Sequence, residues 1–197
     1  PVRYVFTLEE SIAASAKRHP FSIDYTMGLT RGGLIVATRM VMVSDGGAYA
    51  MSTPGVMNKS AILGPGPYAI PNVWVDAIGV YTNNTPSGAF RAFGAFQSEF
   101  ATESHLDLCA ERLGMDPAQL RRLNLMQDGA TTHTRQQLDR VAATACLDAA
   151  LAAARWDPGV PHREAHGEPA RVDLGGPGTR APCTLGLGTM ATDKETT

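Results

Sequence analysis

Two strand-like stretches joined by a glycine-rich turn constrain this chain more than any other feature. Residues 21–29 (FSIDYTMGL) alternate apolar and polar side chains, residues 33–44 are rich in β-branched and apolar types, and Arg31-Gly32-Gly33 lies where they meet. Alternation with a period of two predicts a half-buried strand, and a glycine turn between two such runs predicts an antiparallel hairpin. We therefore expect a sheet with one face covered by other elements.

Two more strands are predicted, one on each side of the hairpin. Residues 2–7 (VRYVFT) are short and β-rich, and residues 73–83 alternate well. Residues 8–17 are compatible with a helix. The segment between, residues 51–72, is dense in Gly and Pro, and we expect it to be irregular.

The hydrophobic period becomes helical at residue 97. A long helix is predicted over 97–113, where Gly114 provides a stop. Asp116 before a proline predicts the start of a second helix, 117–124, and an alanine-rich run predicts a third over 144–156. Hairpins followed by helices predict an α+β fold with a mainly antiparallel or mixed sheet and helices packed on one face.

The chain divides near residue 157. Residues 1–157 carry the periodic patterns, whereas residues 158–197 are rich in Pro and Gly and carry none, which predicts a poorly ordered tail. The first residue is Pro1 and a strand-like pattern follows at once, so we expect the 197 residues to be an internal piece of a longer chain.

Composition and charge exclude several classes of protein. The formal net charge is −2, whereas nucleic-acid binding requires a clustered basic excess. No apolar run approaches the roughly 20 residues of a membrane span, and no signal pattern opens the chain. We therefore expect a soluble, cytoplasmic protein.

The metal-ligating residue types are scattered. Cys109, Cys146 and Cys183 form no C-x-x-C pair, which argues against an iron–sulfur cluster or a structural zinc site in this stretch and favours free thiols. His19, His105 and His133 show no ligand spacing and suit ordinary polar packing. We predict no metal-ligating residue here.

The most unusual segment is GAFRAFGAFQ, residues 88–97, between a predicted strand and the long helix. Small residues let a backbone approach a ligand, the free N–H groups of a helix start favour an electron-rich oxygen, and arginine can anchor an anion. The alternative is structural, because Phe90, Phe93 and Phe96 are spaced by three and could fill a core. Spacing and composition alone favour the core.

Several motifs, in order, resemble the molybdopterin-binding subunit of the xanthine dehydrogenase and aldehyde oxidase family. GAFRAFGAFQ resembles that family's G-A-F-R-G-F-G-x-P-Q. The supporting motifs are Lys17-Arg18-His19-Pro20-Phe21, Asp45-Gly46-Gly47-Ala48-Tyr49, Gly66-Pro67-Tyr68-Ala69-Ile70-Pro71-Asn72, Tyr81-Thr82-Asn83-Asn84-Thr85-Pro86, Leu113-Gly114-Met115-Asp116-Pro117 and Arg121-Arg122-Leu123-Asn124. Together they cover roughly residues 1–156.

The resemblance implies a site for a molybdenum-pyranopterin cofactor, either molybdopterin or its cytosine dinucleotide. Arg91 and the backbone around Ala92 would contact the cofactor, and Phe93 would stack on a planar substrate. Lys59 stands where xanthine-type enzymes carry a substrate-orienting arginine, and it keeps the charge without the bidentate fork. Ala92 replaces a glycine, which is tolerable if its φ is negative, and Phe96 replaces a proline.

The implied reaction is hydroxylation of an N-heterocycle or an aldehyde, with water as the oxygen source. The family's general-base glutamate lies downstream of this stretch and its oxo-contacting glutamine upstream, so no residue here is predicted to be catalytic. Glu99 and Glu103 follow the loop, but as acidic residues on a helix they suit its early turns and solvent. The iron–sulfur clusters and FAD would belong to partner domains or subunits, and the chain alone would be inactive. The alternative is a truncated, inactive scaffold remnant of that subunit.

Overall fold

The structure, a computed structural model, describes residues 1–158. Its central sheet has three strands in the order β2-β3-β4, namely Phe21–Leu29, Ile35–Asp45 and Asn72–Val80. β2 and β3 are antiparallel and form the predicted hairpin, whereas β3 and β4 are parallel. The sheet is therefore mixed, as the α+β prediction allowed.

The parallel pair requires a crossover, and helix α2 (Thr53–Leu63) supplies it. The expectation that residues 51–72 are irregular was therefore wrong for this part. Pro54 lies in the first turn, where a missing N–H costs no hydrogen bond, so the proline that suggested a loop is compatible with a helix start.

The predicted strand 2–7 is also wrong. These residues form no strand, and Val2 is 98% exposed. Thr7 instead caps helix α1 (Leu8–Ala14): its side chain accepts from Glu10 N, and the Glu10 carboxylate accepts from Thr7 N in a reciprocal capping box. Within residues 1–158 no strand pairs with this β-rich stretch, so it gains no ladder hydrogen bonds there and the cap decides the local structure.

The core lies between one face of the sheet and the helices. Met40 and Met42 of β3 are fully buried, as is Leu106 of helix α3 (Ala95–Leu113). The opposite face of the sheet exposes Trp74 and Ile78 of β4. The helices thus cover one face, as predicted.

Two further helices follow α3. Helix α4 (Pro117–Asn124) packs on α3, and helix α5 (Ala143–Ala154) packs on α4. Arg121 joins α3 and α4 by donating through Nε to Glu103 at 2.8 Å and through Nη1 to Asp107 at 2.7 Å. Tyr68 also donates to Glu103, at 2.8 Å. Glu103 is therefore a structural acceptor, although its side chain remains 37% exposed, so the expectation that it suits solvent is met only in part.

A short parallel ribbon lies apart from the main sheet. Its strands are β1 (Lys17–Arg18) and β5 (Ser87–Gly88), paired Lys17 with Ser87 and Arg18 with Gly88. The ribbon holds the start of the 88–97 segment beside β1. Residues 159–197, and with them most of the predicted tail, lie outside the described residues.

Within residues 1–158, no helix combines the length and apolarity needed to cross a bilayer. The cytoplasmic location stays a prediction.

Candidate functional site

The 88–97 segment turns sharply before α3. Three consecutive residues adopt positive φ: Ala92 at 67°, Phe93 at 51° and Gly94 at 98°. Phe93 N donates to Phe90 O at 2.7 Å and Ala95 N donates to Ala92 O at 2.9 Å, which closes two successive turns. Replacement of the family's glycine by Ala92 was expected to be tolerable if the φ of Ala92 were negative. Its φ is positive, so the alanine adopts a conformation in which only a glycine would be unstrained.

Close packing against α2 holds this turn in place. A Cβ on Gly94 would lie 2.3 Å from Ser60 Oγ and 2.5 Å from Val56 O, so no larger residue fits there. The Phe93 ring lies against Gly55, whose added Cβ would be 3.1 Å from it. The turn is thus fixed by α2 at both Phe93 and Gly94.

Two of the residues singled out by resemblance, Phe93 and Lys59, lie at the same helix. Arg91 is exposed and Phe93 is half-buried against α2. Lys59 is exposed on α2, four residues after Gly55, and residues four apart lie on the same side of a helix. Lys59 is therefore on the side of α2 that Phe93 packs against.

The aromatic spacing did not produce a core. Phe90 and Phe96 are each 54% exposed. Both rings instead face the Arg18 guanidinium, with ring centroids 4.9 and 5.1 Å from its Cζ. From the sequence, Arg18 was noted only as part of a family motif. It reaches these rings because the β1–β5 ribbon pairs residues about 70 positions apart in the chain.

The first turn of α3 carries no side-chain cap. Ala92 N–H has no acceptor among the described residues, and the buried Gln97 Oε1 has no donor within them. An exposed cation, one unused backbone donor and an unused amide acceptor suit a ligand that both accepts and donates hydrogen bonds.

A separate cleft of about 430 Å³ lies on the other side of α2, against the end of β4. Thr53, Met57 and Ala61 line it from the helix, and Gly79 and Val80 line it from the strand. It contains neither Arg91, Phe93 nor Lys59, so the candidate site is an open surface and not this cleft.

Glu99 is half-buried in the second turn of α3, so the expectation that it suits solvent was wrong. Burial, reinforced by the nearby charge of Glu103, raises the pKa of Glu99 to about 7. Its Oε2 lies 3.7 Å from the position that a Cβ on Gly66 would take. The carboxyl thus points toward the Gly66 turn.

The histidines take part in packing. His19 is buried with Nε2 2.8 Å from Thr53 Oγ1, and burial lowers the pKa of its imidazole. His105 is buried against Tyr25, and the centroids of their two rings are 4.7 Å apart. Within the described part of the chain, no three His, Cys, Asp or Glu residues are grouped so as to hold a metal. Cys109 and Cys146 form no disulfide within that part, and Cys183 lies outside it.

Residues 1–125 match the family described as "Molybdopterin cofactor-binding domain". The chain belongs to this family. Among curated relatives it is similar to the nicotinate dehydrogenase large molybdopterin subunit of Eubacterium barkeri, with 44% identity over 71% of this chain and 33% of the relative. It is also 42% identical to a probable xanthine dehydrogenase subunit from Bacillus subtilis, over 64% of this chain and 17% of the relative. The chain thus spans a third or less of these relatives.

The fold agrees with solved structures of related enzymes. Aldehyde oxidoreductase from Desulfovibrio gigas superposes with a TM-score of 0.72 at 29% identity, covering 76% of this chain and 16% of that one. Quinoline 2-oxidoreductase from Pseudomonas putida superposes with a TM-score of 0.58 at 26% identity, over 66% and 17% of the two chains. The α+β fold is therefore that of molybdenum-cofactor-binding enzymes.

The residues present at the 88–97 loop fit a pyranopterin cofactor. Such a group offers ring N–H donors and oxygen acceptors, which are complementary to the Gln97 amide oxygen and to the free Ala92 N–H. Arg91 supplies a fixed positive charge beside them. The roles of Arg91, Ala92, Phe93 and Lys59 nevertheless stay predictions.

Proposed function

We propose that this chain supplies the cofactor- and substrate-contacting loop of a molybdenum hydroxylase that oxidises an N-heterocycle with water as the oxygen source. The name of the nicotinate relative and that of the quinoline enzyme support a heterocyclic substrate. The name of the Desulfovibrio enzyme makes an aldehyde the second candidate. The inactive-remnant alternative predicts instead that the loop binds no cofactor in any assembly.

The observation that carries the proposal is the direction of the 88–97 loop. The left-handed turn at Ala92 and Phe93 leaves Arg91 exposed and leaves the Ala92 N–H without an acceptor in the described region. A loop serving only the core would bury its aromatics, yet Phe90 and Phe96 remain more than half exposed. The loop is built to meet something outside this chain's own core.

Each residue has a role that its chemistry permits. Arg91 binds the cofactor through its fixed charge, and the Ala92 backbone N–H donates to a cofactor oxygen. The Phe93 ring, fixed against Gly55, stacks on a planar substrate. Lys59 attracts a negatively charged substituent of the substrate.

The bound cofactor supplies the acceptor for the two electrons that hydroxylation releases. The general base, iron–sulfur clusters and FAD come from outside this stretch in the proposal, so the isolated chain would have no hydroxylase activity.

The test uses the full-length subunit assembled with its partners, comparing Arg91→Ala, Phe93→Ala and Lys59→Ala. The control is Arg39→Ala, which removes an exposed arginine on the uncovered face of the sheet. Arg91→Ala should lower molybdenum content or turnover far more than melting temperature. Phe93→Ala should weaken binding of planar substrates, because the lost ring stacking contributes about 0.5–1.5 kcal/mol in addition to the lost burial of apolar surface. Lys59→Ala should change substrate preference and leave molybdenum content unchanged.

The core interpretation predicts a different pattern. Phe93→Ala would then cost on the order of 3–5 kcal/mol of stability, and activity would fall only with the amount of folded protein. If Phe93→Ala unfolds the subunit while Arg91→Ala retains molybdenum and turnover, the proposed site is wrong.

A further inference from the structure

We infer that Arg18 is a positioning residue, which aims the Ala92 N–H by holding the carbonyl of Arg91. The inference rests on the proposed function, in which that N–H faces the cofactor. Arg18 Nη1 donates to Arg91 O at 2.8 Å, across 73 residues of sequence.

The hydrogen bond to Arg91 O also fixes the orientation of the planar peptide between Arg91 and Ala92. In a trans peptide the C=O of one residue and the N–H of the next point in opposite directions. Because the Arg91 carbonyl points at Arg18, the N–H of Ala92 points away from it. Arg18 therefore fixes the direction of the donor that stays without an acceptor among the described residues.

The turn needs an external restraint. Ala92 and Phe93 are consecutive non-glycine residues with positive φ, a conformation that their Cβ atoms disfavour. Rotation of the Arg91–Ala92 peptide would relieve part of that strain and redirect the N–H. The hydrogen bond from Arg18 opposes this rotation.

Arg18 is itself held on two sides. Its guanidinium lies against Phe90 and Phe96, the residues that flank the turn. Cation–π contacts with both rings leave the planar group free to donate at its edge, which a lysine ammonium could do only in part. Phe96 stands where the resembling motif has proline, and that motif therefore lacks the second ring.

The backbone that carries Arg18 is also fixed. Arg18 pairs with Gly88 in the ribbon, and the next residue, His19, accepts through its carbonyl from Gln97 Nε2 at 3.2 Å. His19 Nε2 in turn contacts Thr53 Oγ1. Both ends of the 88–97 segment thus bind the same short stretch of chain.

The experiment compares Arg18→Ala, Arg18→Lys and Phe96→Leu in the assembled full-length enzyme, with Arg39→Ala as the matched arginine control. Hydrogen–deuterium exchange is measured at the Phe93 and Ala95 amides. Electron paramagnetic resonance of the molybdenum and the separate values of kcat and KM report on the site. Melting temperature reports on global stability.

We expect Arg18→Ala to speed exchange of both amides at least tenfold, to change the molybdenum spectrum and to lower kcat at least tenfold. KM should stay within about twofold, and the melting temperature should match that of Arg39→Ala. Arg18→Lys should recover part of kcat, and Phe96→Leu should speed exchange less than Arg18→Ala.

Unchanged exchange and an unchanged spectrum in Arg18→Ala would overturn the inference, as would a loss of kcat proportional to the loss of folded protein. Arg91→Ala separates this failure from that of the proposed function. If Arg91→Ala impairs molybdenum content or turnover while Arg18→Ala does nothing, only the positioning role is wrong. If Arg91→Ala is also without effect, the proposed function fails as well.

Discussion

The two helices α3 and α4 begin in opposite ways. At α4, Asp116 accepts from Gln119 N at 2.8 Å and proline occupies the first turn, so the start is satisfied by adjacent residues. At α3, the preceding residue is Gly94 with φ 98°, and no side chain caps the first turn. The start of α4 is encoded locally, whereas that of α3 depends on contact with α2.

The difference has a consequence for function. A capped helix start has used its donors, whereas an uncapped one retains them for another group. At the start of α3, Ala95 N donates to Ala92 O within the loop, whereas the Ala92 N–H beside Arg91 has no acceptor among the described residues, where the proposed function requires polar contacts. Stability at this end is supplied from α2, which leaves the loop's own polar groups available.

The largest expected effect is at Gly94. Gly94→Ala should destabilise the protein by about 2–5 kcal/mol. The added Cβ would overpack against Val56 and Ser60, and alanine would have to adopt the positive φ that glycine has here. Gly114→Ala is the matched control, because Gly114 ends the same helix with φ 63° and an added Cβ would meet nothing within 4 Å. It should lose only about 1–2 kcal/mol. Urea unfolding measures both, and equal losses would show that contact with α2 does not fix the start of α3.

The same distinction explains which parts of the fold the sequence predicts. The β2–β3 hairpin and the helices after Gln97 were predicted correctly because alternation, Asp116 and Gly114 are local signals. Helix α2 was missed because Thr53-Pro54-Gly55 resembles a loop, although it is also compatible with a helix start. The strand expected at 2–7 is wrong because no strand among residues 1–158 pairs with that stretch.

The next effect concerns the capped helix. Asp116→Ala should cost about 1 kcal/mol for the lost N-cap, together with the exposed hydrogen bond that Asp116 Oδ2 accepts from Trp156 Nε1 at 3.0 Å. Asp116→Asn should retain most of that stability, because the amide oxygen can still accept from Gln119 N. Thermal unfolding measures the loss, and molybdenum content of the full-length enzyme should stay unchanged in both variants. A drop in molybdenum content would mean that the two helix starts are not independent.

A smaller change, of opposite sign, is expected at Ala92. Ala92→Gly removes the steric cost of φ 67° and should stabilise the fold by about 0.5–1 kcal/mol, since the gain of about 1–2 kcal/mol is offset by a more flexible unfolded chain. Ala92→Val should destabilise it, because a branched side chain fits this conformation less well. Chemical denaturation of the pair gives the comparison, and a loss of stability in Ala92→Gly would contradict the left-handed turn.

The candidate site was less predictable than the fold. Arg91, Phe93 and Lys59 were selected by resemblance, and the proximity of Phe93 to the helix that carries Lys59 emerges only when α2 packs against Phe93 and Gly94. Arg18 offered no local signal, because its contacts with Phe90, Phe96 and Arg91 O depend on a two-residue ribbon between distant segments. Periodicity and turn chemistry carry no information about such long-range pairings.

The smallest expected effect tests whether the start of α3 tolerates an added charge. A helix N-terminus favours an ionised carboxylate and would lower its pKa. Burial and the neighbouring charge of Glu103 outweigh this effect and raise the pKa of Glu99 to about 7. A carboxyl whose pKa is higher in the folded state binds its proton more tightly there. Its stabilising contribution is therefore complete below the ordinary value of 4.5 and is lost as pH rises through about 7. Solvent screening of this half-exposed group keeps the effect modest.

The melting temperature measured from pH 5 to pH 8 should fall less steeply in Glu99→Gln than in the parent protein. Glu9→Gln, on the exposed surface of α1, is the control and should follow the parent. Identical pH profiles for Glu99→Gln and the parent would mean that the Glu99 carboxyl is solvated and that α3 accommodates its charge without cost.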